Sequence, residues 1–148
     1  EAAGIQRVIC RLGIVLSRNG GFLPRVAAPL RYGLSFRLGS GKQWMSWIHI
    51  DDLCAAVIHL MNQHGPGGPY NFTAPHPIRH RLFMEKLAQA MHRSPPIGIP
   101  TFFIHRFLGE MADELLLSSQ RIVPHRLIEN GFKFKFTSID KAVASLFP

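Results

Sequence analysis

The sequence is poor in cysteine, and this shortage excludes two classes of small protein. Only two cysteines, Cys10 and Cys54, occur among 148 residues. Because no C-x-x-C pair and no Cys/His ligand spacing is present, neither a disulfide scaffold nor a structural zinc site is indicated. Both cysteines lie in apolar periodic segments, which predicts reduced core cysteines, with a disulfide as the alternative.

The sequence also lacks any long hydrophobic run. No window approaches the roughly 18 apolar residues that a membrane-spanning helix needs, so no membrane contact is expected. The first residue is Glu1 and nothing near it resembles a signal peptide, so we expect a piece of a longer protein or a processed product. Reduced cysteines without an export signal predict the bacterial cytoplasm. The apolar content of 47% argues against disorder and provides for a real core.

Acidic residues are scarce as well. Nine Asp and Glu face 17 Lys and Arg, giving a net charge of +8 and a pI of about 10.3. The basic residues are dispersed, however, and no zinc-finger or RNA-binding signature appears, so nucleic acid is not the expected partner. Metal is not expected either, since the histidine spacings match no zinc pattern; the histidines considered are His76, His80, His92, His105 and His125.

The most informative stretch that is present is Trp44–Asp52, WMSWIHIDD. It reads as a strand that runs directly into a helix, with Asp51 or Asp52 as the helix cap. Open α/β folds place their ligands where a strand end meets a helix N-terminus, so a site is expected here. The apolar spacing predicts one buried helix face, formed by Leu53, Ala56, Val57, Leu60 and Met61.

Strands and helices alternate up to about residue 75. Arg7–Leu16 is nearly all apolar, as expected for a strand buried on both faces. A short helix over Leu23–Leu30 follows, and Gly39–Gly41 is a plausible hairpin turn between Phe36–Leu38 and the strand at Trp44. A strand at Tyr70–Phe72 completes this part.

Short helices dominate the second half. A helix around Phe83–Met91 and a strand at Ile97–Ile99 are followed by helices over 103–109, 111–117 and 124–130, and by a last helix capped by Ser138. The pattern predicts an α/β fold, the C-terminal part of a doubly wound sheet plus a mostly helical C-terminal lobe, with domains at 1–75 and 76–148.

Eight short motifs occur in a fixed order along the chain. They are R-x-G-I-V-L at 11–16, GG at 20–21, LGSGKQ at 38–43, SWIHIDD at 46–52, GPYNFTAP at 68–75, GE at 109–110, SQRIVP at 119–124 and GFKF at 131–134. This combination closely resembles the C-terminal half of the epimerase-like extended short-chain dehydrogenase/reductases, nucleoside-diphosphate-sugar epimerase family proteins. The resemblance covers essentially the whole chain, and it implies that residues 1–75 are a remnant of an NAD(P)-binding Rossmann-like domain.

The resemblance also indicates what is absent. The family's Gly-rich pyrophosphate turn and its Tyr-x-x-x-Lys pair belong to the N-terminal half, and neither is found here. Gly39 and Gly41 form a G-x-G, but without a following helix this is no dinucleotide fingerprint. Four residues after Tyr32 and Tyr70 come Phe36 and Ala74, so hydride transfer by this chain alone is not expected. The implied cofactor is NADP(H), with its main binding half missing.

The resemblance places Gly13, Ile14 and Val15, just past the first strand, beside the nicotinamide. The alternative for these three residues is an ordinary buried strand end. Arg11, a charge in an apolar strand, needs a partner or a route to solvent, and either a phosphate contact or a structural ion pair would satisfy it.

Trp47, His49 and Asn71 are the candidate substrate-binding residues. Trp47 and His49 could face the substrate cleft, although a histidine beside an aromatic ring is more often hydrogen-bonded within the core. No partner Ser or Cys nucleophile is evident, so no catalytic residue is assigned. Asn71 would orient a substrate hydroxyl or stabilise a turn.

Three hypotheses follow. In the first, the chain is the substrate-side portion of an NADP(H)-dependent sugar-nucleotide epimerase or reductase-like protein, inactive without a Rossmann half or another subunit. In the second, it is a non-enzymatic interaction module that docks through an exposed hydrophobic face. In the third, it is a polyanion-binding protein that uses its positive charge.

Overall fold

A computed structural model describes residues 7–34, 36–38, 40–63, 66–99 and 119–147 of the chain. In this part the fold is α/β, as predicted, and the elements follow one another in an alternating order. The helices predicted over 103–109 and 111–117, the Gly109-Glu110 motif, Gly39 and His105 lie outside the described residues.

The strands are short and the helices surround them. The strands are β1 (Val8–Leu12), β2 (Ile14–Leu16), β3 (Phe36–Leu38), β4 (Trp44–Met45), β5 (Trp47–His49), β6 (Gly68–Phe72), β7 (Ile78–Arg79) and β8 (Ile97–Ile99). The helices are α1 (Phe22–Arg31), α2 (Ile50–Asn62), α3 (His80–Ala90), α4 (His125–Glu129) and α5 (Ile139–Leu146).

Parallel pairing dominates the strands. β1 pairs with β6, β2 with β5 and β3 with β8, all in parallel, whereas β4 and β7 are antiparallel. Parallel neighbours need a crossover between them, which α1 and α2 supply for the first two pairs. This arrangement confirms the predicted parallel α/β character.

The prediction of one strand over Arg7–Leu16, buried on both faces, is wrong. Gly13 divides it into β1 and β2, which pair with different partners. The β1 side chains are mostly exposed, with Ile9 at 43% and Leu12 at 58%, and Arg11 reaches solvent. Apolar composition indicated burial here, but within the described residues β6 is the only strand that pairs with β1.

The hairpin predicted around Gly39–Gly41 is also wrong. β3 pairs with the distant β8, and β4 pairs with β7, so the strands on either side of the turn do not pair with each other. Gly41 nevertheless adopts a positive φ of 67°, the conformation that a glycine turn requires. Gly41 therefore has the backbone conformation of a glycine turn, but the strands on either side of it pair with strands far away in the sequence.

Two hydrophobic clusters lie on opposite sides of the β2–β5 pair. Successive strand residues point to opposite faces, so Trp47 enters one cluster and Ile48 the other. The larger cluster joins the β2–β5 pair to α1, α3 and α5 through Leu16, Leu23, Leu30, Phe83, Leu87, Val143 and Leu146. The smaller one joins it to α2, β6 and α4 through Ala56, Tyr70, Phe72, Leu127 and Phe132. The domain boundary near residue 75 stays a prediction.

Helix α2 follows the predicted position but not the predicted face. Ala56 is buried and Leu53 and Leu60 pack against the smaller cluster, whereas Val57 and Met61 are exposed. The buried face predicted from the spacing of three and four residues is wider than the observed one, because α2 covers only part of the surface formed by β2, β5 and β6.

The prediction that both cysteines belong to the core is wrong as well. Cys10 and Cys54 are exposed and free, because β1 and one flank of α2 lie at the surface. Ser138 stands at the predicted N-cap of α5 but makes no side-chain capping bond.

No helix in the described part of the chain is long and apolar enough to cross a membrane.

Gly13 gives the first testable prediction. A Cβ added at this position would lie 2.6 Å from the Ser46 carbonyl oxygen and 2.9 Å from Thr73 Cγ2, so Gly13→Ala forces the backbone apart. We expect the free energy of unfolding to fall by about 1–3 kcal/mol, measured by urea unfolding. Gly20→Ala is the control, because nothing lies within 4 Å of its added Cβ. Equal stability of the two variants would contradict the close approach at Gly13.

Candidate functional site

The candidate site lies at the carboxyl ends of β1 and β6. Gly13 follows β1 and Thr73 follows β6, and Ser46, between β4 and β5, joins them. The Gly13 amide donates to the Phe72 carbonyl at 3.0 Å, and the Ile14 amide donates to the Ser46 carbonyl at 2.8 Å. The chain therefore changes strand partner at this point, which is where ligands bind in open α/β sheets.

The segment 119–124, which carries the SQRIVP motif, crosses these strand ends. The Ser46 hydroxyl donates to the Gln120 carbonyl at 2.8 Å and accepts from the Ile122 amide at 2.8 Å. The Thr73 hydroxyl donates to the Ile122 carbonyl at 3.4 Å. Both side chains are buried, so the segment is held on the strand ends mainly by the two Ser46 bonds, to which Thr73 adds a longer, weaker one.

Asn71 is the predicted substrate residue whose polar group lies nearest to this crossing. Its Nδ2 donates to the Val123 carbonyl at 3.4 Å, which is long for an N–H···O bond, and the residue is half-buried. A weak bond at a half-buried position can be exchanged for a bond to a ligand at little cost.

The Trp44 side chain lies beside the site and contacts two guanidinium groups. The Arg79 guanidinium lies 3.8 Å from the Trp44 ring centroid, and that of Arg121 lies 5.0 Å from it. The Trp44 amide donates to the Ser119 hydroxyl at 3.1 Å. Two cations therefore lie against one ring at the start of the 119–124 segment.

The structure places the predicted cofactor residues at the switch between strand partners. Gly13, Ile14 and Val15 are half-buried, and Ile14 and Val15 pack against opposite clusters. This surface carries no charged side chain and exposes part of the backbone at the end of a parallel strand. Contact with a cofactor stays a prediction for all three residues.

Trp47 and His49 are buried, and their polar atoms are already used. Trp47 is fully buried and its Nε1 donates to the His76 carbonyl at 3.0 Å. The His49 ring is 3.9 Å, centroid to centroid, from the Phe136 ring. Contact of these two side chains with a substrate stays a prediction.

His49, not Asp51 or Asp52, caps helix α2, so the predicted cap is wrong. Its Nδ1 accepts from the Asp51 amide at 3.1 Å, which leaves the proton of the neutral ring on Nε2. Nε2 then donates to the Ser145 hydroxyl at 3.2 Å, and that hydroxyl donates to the Ala142 carbonyl at 2.7 Å. Burial lowers the pKa of His49, against the opposing effect of Asp51 and Asp52, and Lys135 lowers it further. The ring is thus held neutral.

Asp52 fixes the C-terminal segment to the start of α2. Its two carboxylate oxygens accept from the Lys135 amide at 2.8 Å and the Phe136 amide at 2.9 Å. Asp51, by contrast, is half-exposed and pairs with the Lys135 ammonium at 3.2 Å. The two adjacent carboxylates therefore have different roles, one buried and one at the surface.

The described residues at the strand ends offer hydroxyl and amide groups that can bind and orient a ligand, and no carboxylate or imidazole among them is hydrogen-bonded at the crossing. Burial lowers the pKa of the His49 ring, whose two nitrogens are hydrogen-bonded to the Asp51 amide and the Ser145 hydroxyl. No group of three His, Cys, Asp or Glu in the described part is placed to hold a metal ion. Sequence reasoning missed Ser46 and Thr73, although both lie in motifs that it had singled out, and it missed Ser145, which is 96 residues from His49.

Two family models match the chain. The NAD-dependent epimerase/dehydratase family matches residues 1–72, and a domain of unknown function, DUF1731, matches residues 99–146. The chain therefore resembles the C-terminal part of NAD-dependent epimerase/dehydratase family proteins.

Individual relatives agree with this assignment. An epimerase family protein of Staphylococcus aureus (strain MRSA252) is 40% identical over 146 residues, which are 99% of this chain and 48% of the relative. The human epimerase family protein SDR39U1 (isoform 2), solved with NADPH, superposes with a TM-score of 0.88 at 29% identity, over 95% of this chain and 48% of the human one. A nucleoside-diphosphate sugar epimerase of Corynebacterium glutamicum gives a TM-score of 0.75 at 28% identity, over 99% and 27%. The chain spans about half the length of the Staphylococcus relative, and its fold is that of Rossmann-type epimerases.

The different roles of Asp51 and Asp52 can be tested by paired substitutions. Asp52→Asn keeps an acceptor for one backbone N–H but puts an NH2 group against the other, so the free energy of unfolding should fall by about 1–3 kcal/mol. Asp51→Asn removes only a solvent-exposed ion pair and should cost less than about 1 kcal/mol. Urea unfolding at neutral pH measures both, and a larger loss for Asp51→Asn would refute the assignment.

The neutral ring of His49 predicts a pH dependence of stability. Because the folded pKa lies below the ordinary value of 6.5, stability from the neutral ring is present above that pH and is lost as the pH falls below it. We expect the chain to lose more unfolding free energy between about pH 7.5 and about pH 5.5 than His49→Asn, which keeps a capping oxygen but does not titrate.

Both proteins retain the other histidines, so the difference in loss isolates His49. Equal losses in the two proteins would mean that His49 does not titrate on unfolding.

Proposed function

We propose that this chain supplies the substrate-side wall of an NADP(H)-dependent sugar-nucleotide epimerase or reductase-like protein. The observation that carries the proposal is the site at Gly13. There the 119–124 segment is hydrogen-bonded across the ends of two parallel strands, and the side-chain amide of Asn71 makes only a long hydrogen bond to it. The match of residues 1–72 to the epimerase family model and the NADPH in the similar human structure support it. We expect the protein to act in the bacterial cytoplasm.

The partner that we propose is a Rossmann half that covers β1. Within the described residues β1 has one paired edge, against β6, and its side chains Ile9 and Leu12 are exposed. Parallel strands are normally buried on both faces and paired on both sides, so such an edge needs a further strand. The S. aureus relative is about twice as long as the matched region, which leaves room for that half on the same or another chain.

In this proposal the chain binds and orients, while the cofactor carries out the redox step. A bound nicotinamide would supply or accept the hydride. The backbone at Gly13 and the side chains of Ile14 and Val15 would limit the nicotinamide pocket on one side. Asn71 would exchange its long bond to Val123 for a bond to a substrate hydroxyl. Trp47 and His49 would support this side of the pocket from the protein interior, because their polar atoms are hydrogen-bonded to protein groups.

The second candidate function is a non-enzymatic interaction module. The same exposed β1 edge favours it, together with the exposed side chains Val57, Ile58 and Met61 on α2. The two functions differ in whether the completed protein binds a nicotinamide cofactor.

A fusion protein tests the difference. The residues of the S. aureus relative that precede its match to this chain, fused in frame to residue 1, should give a folded protein whose melting temperature rises with NADPH. A free NADPH concentration of about 100 times its Kd would raise the free energy of unfolding of the fusion by about 2.7 kcal/mol. This chain without the added half serves as the control and should show no shift. A fusion that folds, as judged by circular dichroism, but does not respond to NADPH would contradict the enzyme proposal and leave the interaction module.

A further inference from the structure

A cationic cavity lies at the start of α3; it shares Arg79 with the surroundings of the candidate site, but neither Trp44 nor the residues at the strand ends line it. Its volume is about 500 Å³, and it is lined by the loop Ser40–Lys42 and by Arg79, Arg81, Leu82 and Glu85. A volume of this size falls within the range of roughly 300–1,000 Å³ that small-molecule sites occupy. The cavity is therefore large enough for more than a simple ion.

Backbone hydrogen bonds hold the two sides of the cavity together. The Arg81 amide donates to the Gly41 carbonyl at 3.0 Å, and the His80 amide donates to the Gln43 carbonyl at 3.0 Å. The Arg79 guanidinium also donates to the Lys42 carbonyl. These bonds fix the loop against the β7–α3 junction before any ligand arrives, which lowers the entropic cost of binding.

The charges in the cavity are mostly positive. Lys42, Arg79 and Arg81 contribute three cations, and Glu85 the one carboxylate. Arg81 pairs with Glu85 at 2.7 Å, and Arg79 is held in place by the Trp44 ring at 3.8 Å. Among the described residues the Lys42 ammonium has no side-chain partner, and only part of the guanidinium donor set of Arg79 is used.

We propose that this cavity binds a small organic phosphate. Guanidinium groups match the geometry of phosphate oxygens, and an ammonium beside them adds a compact charge. Leu82, which is 43% exposed, gives the organic part of the ligand an apolar wall. Because the three cationic residues line one concavity, a small molecule suits them better than a nucleic-acid backbone, whose phosphates form a long row. This site does not depend on the proposed nicotinamide function.

Ribose 5-phosphate, ribose and inorganic phosphate serve as probes, with binding to the whole chain followed by isothermal titration calorimetry. Ribose 5-phosphate should bind more tightly than either of the others, since it alone offers both the phosphate and the organic part. Lys42→Gln should weaken its binding at least about fivefold, as expected for the loss of a charge-assisted contact. Glu85→Gln should tighten binding about threefold or more, because it removes a repelling carboxylate and releases Arg81.

Lys133→Gln is the matched control. It removes the same charge from an exposed position that does not line the cavity, so binding should change less than about twofold. Three outcomes would overturn the proposal: equal affinity for ribose and ribose 5-phosphate, equal losses for Lys42→Gln and Lys133→Gln, or tighter binding of inorganic phosphate than of the sugar phosphate. The second of these would indicate non-specific attraction to the overall positive charge.

Discussion

The close approach of three backbone segments at Gly13 is the constraint on which the rest of the structure depends. With only a hydrogen as side chain, Gly13 lets the end of β1 contact Ser46 and Thr73. The chain can then leave β6 and continue as β2 beside β5, which places one hydrophobic cluster on each side. The same approach brings the Ser46 and Thr73 hydroxyls together, so a packing requirement also forms the candidate site.

A second set of contacts ties the C-terminal segment to this framework. Asp52 holds the backbone of Lys135 and Phe136, and His49 contacts both Phe136 and Ser145. These bonds join the start of α2 to residues more than 80 positions later in the sequence. The SWIHIDD motif, where a site was expected, thus also fixes the C-terminal segment and the last helix through Asp52 and His49, and substrate contact by Trp47 and His49 stays a prediction.

Local signals predicted the elements well, and distant contacts explain the failures. Apolar periodicity, Pro24 and the glycines located α1, α2, α3 and β6 close to their observed bounds. Partner choice was wrong for β3 and β4, because sheet pairing with β8 and β7 depends on residues that no local window contains. Burial was wrong for β1, Cys10 and Cys54, because composition does not distinguish a surface covered within the chain from one left exposed.

The candidate site shows the same difference between local signals, which the sequence contains, and distant contacts, which it does not reveal. Gly13 was named through the family resemblance and Asn71 through its place at a strand end, and the structure places both beside the crossing of the 119–124 segment. Ser46 and Thr73 were missed because a serine or threonine in a motif carries no sign of its hydrogen-bond partner. Their partners lie 76 and 49 residues away.

The open edge of β1 also has a consequence for the chain before it meets any partner. Within the described residues β1 is paired with β6 on one edge only, and a free strand edge with apolar side chains is a template for other strands, including those of identical molecules. The chain at high concentration is therefore exposed to self-aggregation, and its accumulation in a cell would depend on chaperones or on synthesis together with a covering half.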